Sequence, residues 1–308
     1  MNSLLREHPE ILELPRRLRP PYSWVGHIPF AFHLMKIHRP GVFVELGVHT
    51  GNSFAAFCQG AELADLRTAC FGVDTWRGDE HAGFYEQTVY DELLEDMKKQ
   101  FSGNAHLLRM PFDEALNSFS DASIDLLHID GLHTYDAVAH DFYSWLPKLS
   151  ERGVVLLHDT DVRSEDFGVW KLFEELQQKY PAAQFRHAYG LGVVAVGKKV
   201  PDEVLELIAA IDAHVEIRNL FSRVGELTKS LSGLDGEQDI SAHIESLHKK
   251  IDNLEKMIAE KDSLFHQVVT GKDRLFLELE QHSQAMLEEK EKLIHSMSSE
   301  LTTLRRAR

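Results

Sequence analysis

Up to about residue 197 the chain alternates short β-branched runs with amphipathic helical stretches, and that alternation leaves few folds open. Strand, helix and strand in succession are the signature of βαβ units, which stack into a parallel sheet with helices on both faces. The runs predict strands at Val42–Leu46, Ala69–Val73, Ala105–Arg109, Ile124–Ile129 and Val154–Leu157. Helices are expected at about 53–64, 86–100, 112–119, 134–149 and 168–180, and a further one at 29–38 after an extended Pro20-Pro21-Tyr22-Ser23-Trp24 arm. Gln184–Ala188 and Val193–Gly197, separated by Tyr-Gly-Leu-Gly, read as an antiparallel hairpin closing the sheet.

A second architecture follows. All four Trp and all seven Tyr lie before residue 190, and Pro201 is the only proline from residue 200 onward. Ile240, Ile244, Leu247, Ile251, Leu254, Ile258, Phe265, Val268, Leu275, Leu279, Met286 and Leu293 recur on alternating spacings of four and three, a heptad seam. Lys261, Lys272 and His282 occupy seam slots and Gly271 interrupts the run, so the coil is expected to be weak or bent there. A helix about 100 Å long at 1.5 Å per residue has no core of its own to cover it, which favours self-association. Leu220, Val224, Leu227 and Leu231 begin a shorter copy, which a helix packed on its own domain explains as well, and Ser-Gly-Leu-Asp-Gly at 232–236 reads as a hinge. The expected fold class is a Rossmann-like, doubly wound α/β sheet followed by a long α-helical coiled coil. Its expected divisions are an N-terminal arm and helix (1–40), a catalytic domain (41–200), a helical connector (201–236) and the coil (237–308). The chain stops within the heptad pattern at Leu301–Arg308, and a further domain beyond it is expected.

Thirty-three Lys and Arg against 49 Asp and Glu give a net charge of −16, which disfavours a protein that coats nucleic acid, since polyanion binding needs clustered cations. Cys58 and Cys70 form no disulfide framework or zinc motif and are expected to be core residues. Reduced thiols, no apolar run near the roughly 20 residues of a spanning helix and no export signal point to the cytoplasm.

The first strand runs into Glu45-Leu46-Gly47-Val48-His49-Thr50-Gly51-Asn52-Ser53 and then a helix. Glycines at 47 and 51 let the backbone turn tightly and approach a ligand at the carboxyl edge, where open α/β sheets bind. The spacing E-x-G-x-x-x-G differs from the dinucleotide fingerprint and from the phosphate loop, so a pyrophosphate is a poor fit. Asp74, closing the second strand, suits a ribose diol. The bland alternative is an ordinary βα turn with a capping Asp.

VELGVHTGNS, FGVDTWRGDEHAGFY and IDLLHIDGLHTYDAVAHDFYSWLPKLSERGVVLLHDT resemble, in order and spacing, successive motifs of class I S-adenosylmethionine-dependent methyltransferases, in the branch associated with bacterial glycan and natural-product sugar O-methylation. The resemblance covers about residues 40–197. It implies Glu45, Gly47 and Gly51 around the methionine moiety, Asp74 on the ribose, Asn52, Ser53, Thr75 and Trp76 close by, and Met110 to Phe112 facing the adenine, with Asp130 also at the cofactor.

Asp130-Gly131-Leu132-His133 follows the fourth strand and His158-Asp159 the fifth, so two carboxylates and up to two imidazoles can meet at one cleft. Such a set suits Mg²⁺, and adding histidine moves preference toward Mn²⁺. Metal-dependent relatives place an Asp after the fourth strand and an acidic pair after the fifth, where this chain has His158 first. Asp130 and Asp159, with His158, are the expected ligands; carboxylates that only cap helices and hold histidines are the alternative.

Methyl transfer to a hydroxyl also wants a base, for which His133 and His81 stand open, the latter in a glycine-flanked loop suited to closing over substrate. A metal-activated alkoxide would need neither. His128 reads as a core residue, and Asp136, His140 and Asp141 as helix surface or capping positions. Phe84, Tyr85 and Tyr90 lie in the long 76–100 connection, where they can face a sugar or simply pack a lid, and the N-terminal arm is placed to cover the cofactor.

The function expected is O-methylation of a sugar hydroxyl, capping a bacterial polysaccharide of O-antigen type. The coil is expected to make a homo-oligomer and to space the enzyme from a glycosyltransferase, as a partner or fused domain, at the inner face of the membrane. The alternative is an inactive methyltransferase-like scaffold that positions a partner enzyme. A redox enzyme lacks support, because the chain has neither a cysteine cluster nor a facial metal triad.

Overall fold

A computed structural model describes residues 7–79, 83–164 and 166–231. The heptad segment, the 232–236 hinge and His81 lie outside the described residues. The strands, in chain order, are β1 (Val42–Leu46), β2 (Ala69–Asp74), β3 (Gly78–Asp79), β4 (Gly83–Phe84), β5 (Ala105–Arg109), β6 (Ile124–Ile129), β7 (Leu149–His158), β8 (Ala182–Phe185) and β9 (Leu191–Ala195). Seven of them form one sheet in the order β5-β2-β1-β6-β7-β9-β8, and β3 pairs with β4 as a small separate ribbon. Only β9 runs against its sheet neighbours; the β1, β2, β5, β6 and β7 pairings are parallel. The sheet is thus Rossmann-like α/β with a terminal antiparallel hairpin.

Alternation along each strand sends neighbouring residues to opposite faces. Phe43, Cys70, Leu126 and Leu156 pack under α1 (Ile28–His38) and α2 (Asn52–Leu63). Val44, Val73, Leu127 and Val155 face the other layer, under Phe142 and Trp145 of a helix at Tyr135–Trp145 and Leu172 and Phe173 of one at Val169–Leu176. Cys58, on α2, and Cys70, on β2, are both free and buried in the first layer. The chain leaves β1 for β2 on one side and returns as β6 on the other, so the crevice where strand order reverses lies at the carboxyl ends of β1 and β6.

Several boundaries differ from expectation. β7 runs ten residues rather than four, and its pairing with β6 shifts register between Ile124 and Leu126. The closing hairpin sits two residues earlier, because Ala188, Tyr189 and Gly190 take positive φ (46°, 66° and 94°) and consume the segment expected to end β8. The helix from residue 134 stops at Trp145, where Pro147 imposes one tight turn.

Residues 202–231 fold back onto the domain, the alternative that the Leu220 to Leu231 pattern left open. Helices at Asp202–Ala213 and Val215–Leu231 lie on the N-terminal segment, with Phe221 buried between Phe30 and Phe185 at ring separations of 5.8 and 5.5 Å. Gly225 touches Gly26 so closely that a Cβ would lie 2.1 Å from the Gly26 carbonyl oxygen. A Gly225→Ala variant is therefore expected to lose about 1–3 kcal/mol, since neither backbone can yield; a denaturant midpoint equal to wild type would contradict this packing. No helix among the described residues is long and apolar enough to cross a membrane.

Buried histidines make the fold acid-sensitive. His38 is fully buried, donates from Nε2 to the Arg152 carbonyl at 2.9 Å, and is held neutral by burial, with its pKa lowered from 6.5 to about 4. The unfolded chain takes up a proton below pH 6.5 that the folded chain refuses until about pH 4. Stability present above pH 6.5 is thus lost as pH falls through that window, by up to about 3 kcal/mol for this residue. Burial lowers His27 in the same direction. His38→Gln keeps a donor without the titration, so its unfolding free energy should fall less between pH 7 and pH 5 than that of wild type.

Candidate active site

Gly47 takes φ +86°, which brings the chain off β1 against β6. A Cβ there would lie 2.0 Å from the Asp130 carbonyl oxygen. Hydrogen bonds from Gly47 N to Val73 O and from Asp130 N to Leu46 O, 2.9 and 2.8 Å, extend the ladder past the strand ends. Gly51, φ +80°, starts α2. Between the two glycines the backbone is fixed by Asp74: its Oδ2 accepts from Val48 N and His49 N at 2.9 Å each, and its Oδ1 accepts from Trp76 N at 2.7 Å. A carboxylate has about four acceptor positions, so three are used in shaping the loop and one remains for a ligand hydroxyl.

The bend opens onto a cavity of about 640 Å³, within the usual range for a small-molecule site. Among the residues expected at the cofactor, Gly47, Asn52, Ser53, Asp74, Thr75 and Asp130 line it. Gly51, Trp76, Met110 and Glu45 do not. Trp76 is buried behind the loop and donates from Nε1 to His49 O at 2.9 Å. Met110 packs into the core, and the following Pro111 and Phe112 reach the cavity instead. Asn52 spends its amide on the N-terminal arm, accepting from Arg19 N at 2.8 Å and donating to Arg19 O and Pro21 O at 2.6 and 3.0 Å. The arm does reach the cavity, with Pro21, Ser23 and Trp24 in its wall.

Glu45 turns inward, on the face of β1 that also carries Phe43. Its Oε1 accepts from the Ser53 hydroxyl at 2.5 Å, and its Oε2 lies 3.5 Å from His128 Nδ1. Trp24 Nε1 donates to His128 Nε2 at 3.2 Å, completing a buried polar chain. Burial raises the Glu45 pKa. His128 lies in the core, as expected, and Glu45, expected near the methionine moiety, lies beside it and does not line the cavity.

Beside the bend, the ends of β6 and β7 bring four groups together. His133 Nε2 lies 2.9 Å from Asp159 Oδ2 and 3.6 Å from Asp130 Oδ1. His158 Nδ1 lies 3.0 Å from Asp159 Oδ2 and 3.3 Å from Asp130 Oδ1, while its Nε2 donates to Ala188 O at 3.0 Å. Burial pulls the His133 pKa down, but bonds to Asp130 and Asp159 outweigh it and raise it to about 9. The same carboxylates hold His158 well above its usual value against its burial, and the imidazoles hold Asp130 well below and Asp159 below theirs. The two carboxylates facing Nε2 favour the protonated ring, and only the neutral ring can accept a proton or ligate a cation. The His133 ring stacks on Phe167 at 4.8 Å and 11°.

Asp130 and Asp159, two of the expected cation ligands, meet here beside His133 and His158. Asp130, His133 and Asp159 present single ligand atoms all within 4.8 Å of one another, whereas His158 hangs on the Ala188 carbonyl and backs the two carboxylates. Two oxygens and one nitrogen suit Mg²⁺ or Mn²⁺.

The rest of the wall was missed. Val162 and Phe167 follow β7, and Tyr189 belongs to the β8–β9 turn; tertiary folding alone brings them to the site. Tyr85 lines the cavity and stacks on His49 at 4.3 Å, but Phe84 is 87% exposed and Tyr90 packs on Trp76. Asp141, expected on the surface, is buried behind Gly131, and burial raises its pKa to about 7.

Residues 44–160 match the family described as a methyltransferase domain. The uncharacterized protein y4gI of Sinorhizobium fredii (strain NBRC 101917 / NGR234) is 44% identical over 196 residues, 64% of this chain and 22% of that protein. The chain thus spans about a fifth of the length of the curated relative it matches. Among solved structures, the SAH-bound Podospora anserina methyltransferase PaMTH1 is 14% identical with a TM-score of 0.43, over 55% of this chain and 77% of that one. A methyltransferase from Geobacter sulfurreducens is 11% identical with a TM-score of 0.42, over 63% and 85%.

Proposed function

We propose that this chain transfers the methyl group of S-adenosylmethionine to a hydroxyl oxygen, with a divalent cation at Asp130, Asp159 and His133. The observation that carries the reading is the juxtaposition, within the segment that matches a methyltransferase domain, of the Gly47 bend and this donor set on one cavity. Asp74 preorganises the bend and keeps one acceptor position for a ribose hydroxyl. Phe112 offers an aromatic face after β5, where the nucleoside base would lie. Asp130, Asp159 and His133 would hold the cation, which supplies Lewis acidity toward an acceptor hydroxyl. His158 orients the two carboxylates from behind, Phe167 fixes the His133 ring, and the arm at Pro21–Trp24 excludes water from one side.

A sugar is the acceptor class proposed. Tyr85, Phe167 and Tyr189 give the wall flat apolar faces, and no Lys or Arg lines the cavity to select an anionic acceptor among the described residues. The finer reading, a glycan end presented by a glycosyltransferase to an oligomer joined by the 237–308 coil, rests on the motifs and the heptad spacing. The test is incubation with methyl-labelled S-adenosylmethionine and neutral glycan acceptors, with and without chelator. Label is expected in the glycan and lost on chelation. Transfer that chelator leaves unchanged would remove the cation from the reading, and calorimetry showing no S-adenosylmethionine binding would favour a scaffold.

A further inference from the structure

The N-terminal arm carries a second cluster of ligating side chains, none shared with the cavity. His8 precedes a short turn at Pro9–Leu12 that holds Glu10, and His33 lies on α1. Glu10 Oε1 is 3.0 Å from His33 Nδ1 and 3.3 Å from His8 Nδ1, and the three atoms all lie within 4.8 Å of one another. The two rings meet edge to face, 4.5 Å apart at 72°. Glu10 and His33 are buried, with side-chain exposures of 8% and 4%.

Hydrogen bonding leaves this cluster incomplete. Glu10 Oε1 accepts from His33 Nδ1, and Glu10 Oε2 from Lys36 Nζ at 2.7 Å. His8 Nδ1 is buried with no hydrogen-bond partner among the described residues. It lies 3.3 Å from Glu10 Oε1, the oxygen that already accepts from His33 Nδ1.

We propose that His8, Glu10 and His33 bind a divalent cation of the zinc class, pinning the arm to α1. Two imidazole nitrogens and one carboxylate oxygen form a known three-ligand set for zinc, with a fourth position left to water. With arms of about 2.0–2.1 Å, the edges of such a tetrahedron are about 3.3 Å, close to the two carboxylate–imidazole separations of 3.0 and 3.3 Å here. Two nitrogens in three donors favour Zn²⁺ or Co²⁺ over Mg²⁺ or Ca²⁺. Lys36 on the second carboxylate oxygen is an outer partner that fixes the orientation of Glu10.

The consequence reaches the cavity through the chain itself. Downstream of the pin, Arg16 N donates to Gln59, Arg17 bonds Thr50 O and Asp96, and Asn52 clamps Arg19 and Pro21 before Trp24 enters the cavity wall. A cation at His8 and His33 therefore fixes the upstream end of this strap.

Chelator-stripped full-length protein would be titrated with Co²⁺ alone, following visible d–d absorption and stoichiometry. Asp130→Asn/Asp159→Asn, checked for folding by circular dichroism, removes the other donor set. It is expected to retain one equivalent of Co²⁺ with tetrahedral-type bands that Zn²⁺ displaces. Adding His8→Ala should abolish those bands and weaken Co²⁺ binding at least tenfold, while the metal-free melting temperature stays that of its parent. If the double variant does not fold, the comparison of wild type with His8→Ala, two equivalents against one, reads the same site. A His8→Ala protein with unchanged Co²⁺ stoichiometry and spectrum, or a parent that binds no Co²⁺ outside the Asp130 and Asp159 set, overturns the proposal.

Discussion

Asp159→Asn is expected to lower methyl transfer at least about 100-fold, the loss typical when one preorganised electrostatic group is removed from a reaction centre, and to abolish any stimulation by added cation. The substitution keeps the shape of the side chain and removes the charge that faces both His133 Nε2 and His158 Nδ1. Affinity for S-adenosylmethionine should stay within a few-fold, because Gly47 and Asp74 lie at the ends of β1 and β2 and Ser53 on α2. Breaking a buried ion cluster also costs stability, about 3–5 kcal/mol where the remaining charge is uncompensated, so the kinetics belong well below the variant's own melting temperature. Full transfer by folded Asp159→Asn would remove this carboxylate from the chemistry.

Gly47→Ala should act on the other half of the site. An Ala at φ +86° is strained by about 1–2 kcal/mol, and its Cβ would collide with the Asp130 carbonyl oxygen, a backbone atom that β6 holds in place. Together with overpacking of about 1–3 kcal/mol, this predicts a lower melting temperature and an S-adenosylmethionine affinity reduced at least about 100-fold. The 47–49 segment cannot move off Asp130 without leaving the Asp74 carboxylate. Gly103→Ala is the matched control, since a Cβ there meets nothing within 4 Å. Equal calorimetric affinity for the two variants would show that the bend does not hold the ligand.

The parallel sheet was legible because its central strands are buried on both faces and announce themselves as apolar runs, with β1 and β6 falling on the expected residues; the half-buried edge strand β5 fell on its expected residues too. From that sheet the meeting of Asp130, His133, His158 and Asp159 follows, since adjacent parallel strands end on one edge. The inward turn of Glu45 was legible from strand parity: two residues after Phe43, it must share that face. Asp141 likewise falls in register with Val138, Phe142 and Trp145, the buried stripe of its helix. By contrast, nothing local marks Phe221 as a neighbour of Phe30 and Phe185, or Tyr189 as part of the cavity wall. Those contacts join distant parts of the chain.

The position of the two thiols gives the molecule an internal gauge. Cys58 lies on the helix that begins at the glycine bend and Cys70 on the strand that ends in Asp74, both fully enclosed, with the Cys58 thiol pushed well above its usual pKa by burial. An alkylating reagent can reach either only when the layer over the sheet opens, so the rate of modification measures how often it does. A nucleoside that docks against the bend should slow that rate in proportion to its occupancy, which reports binding without any label on the ligand.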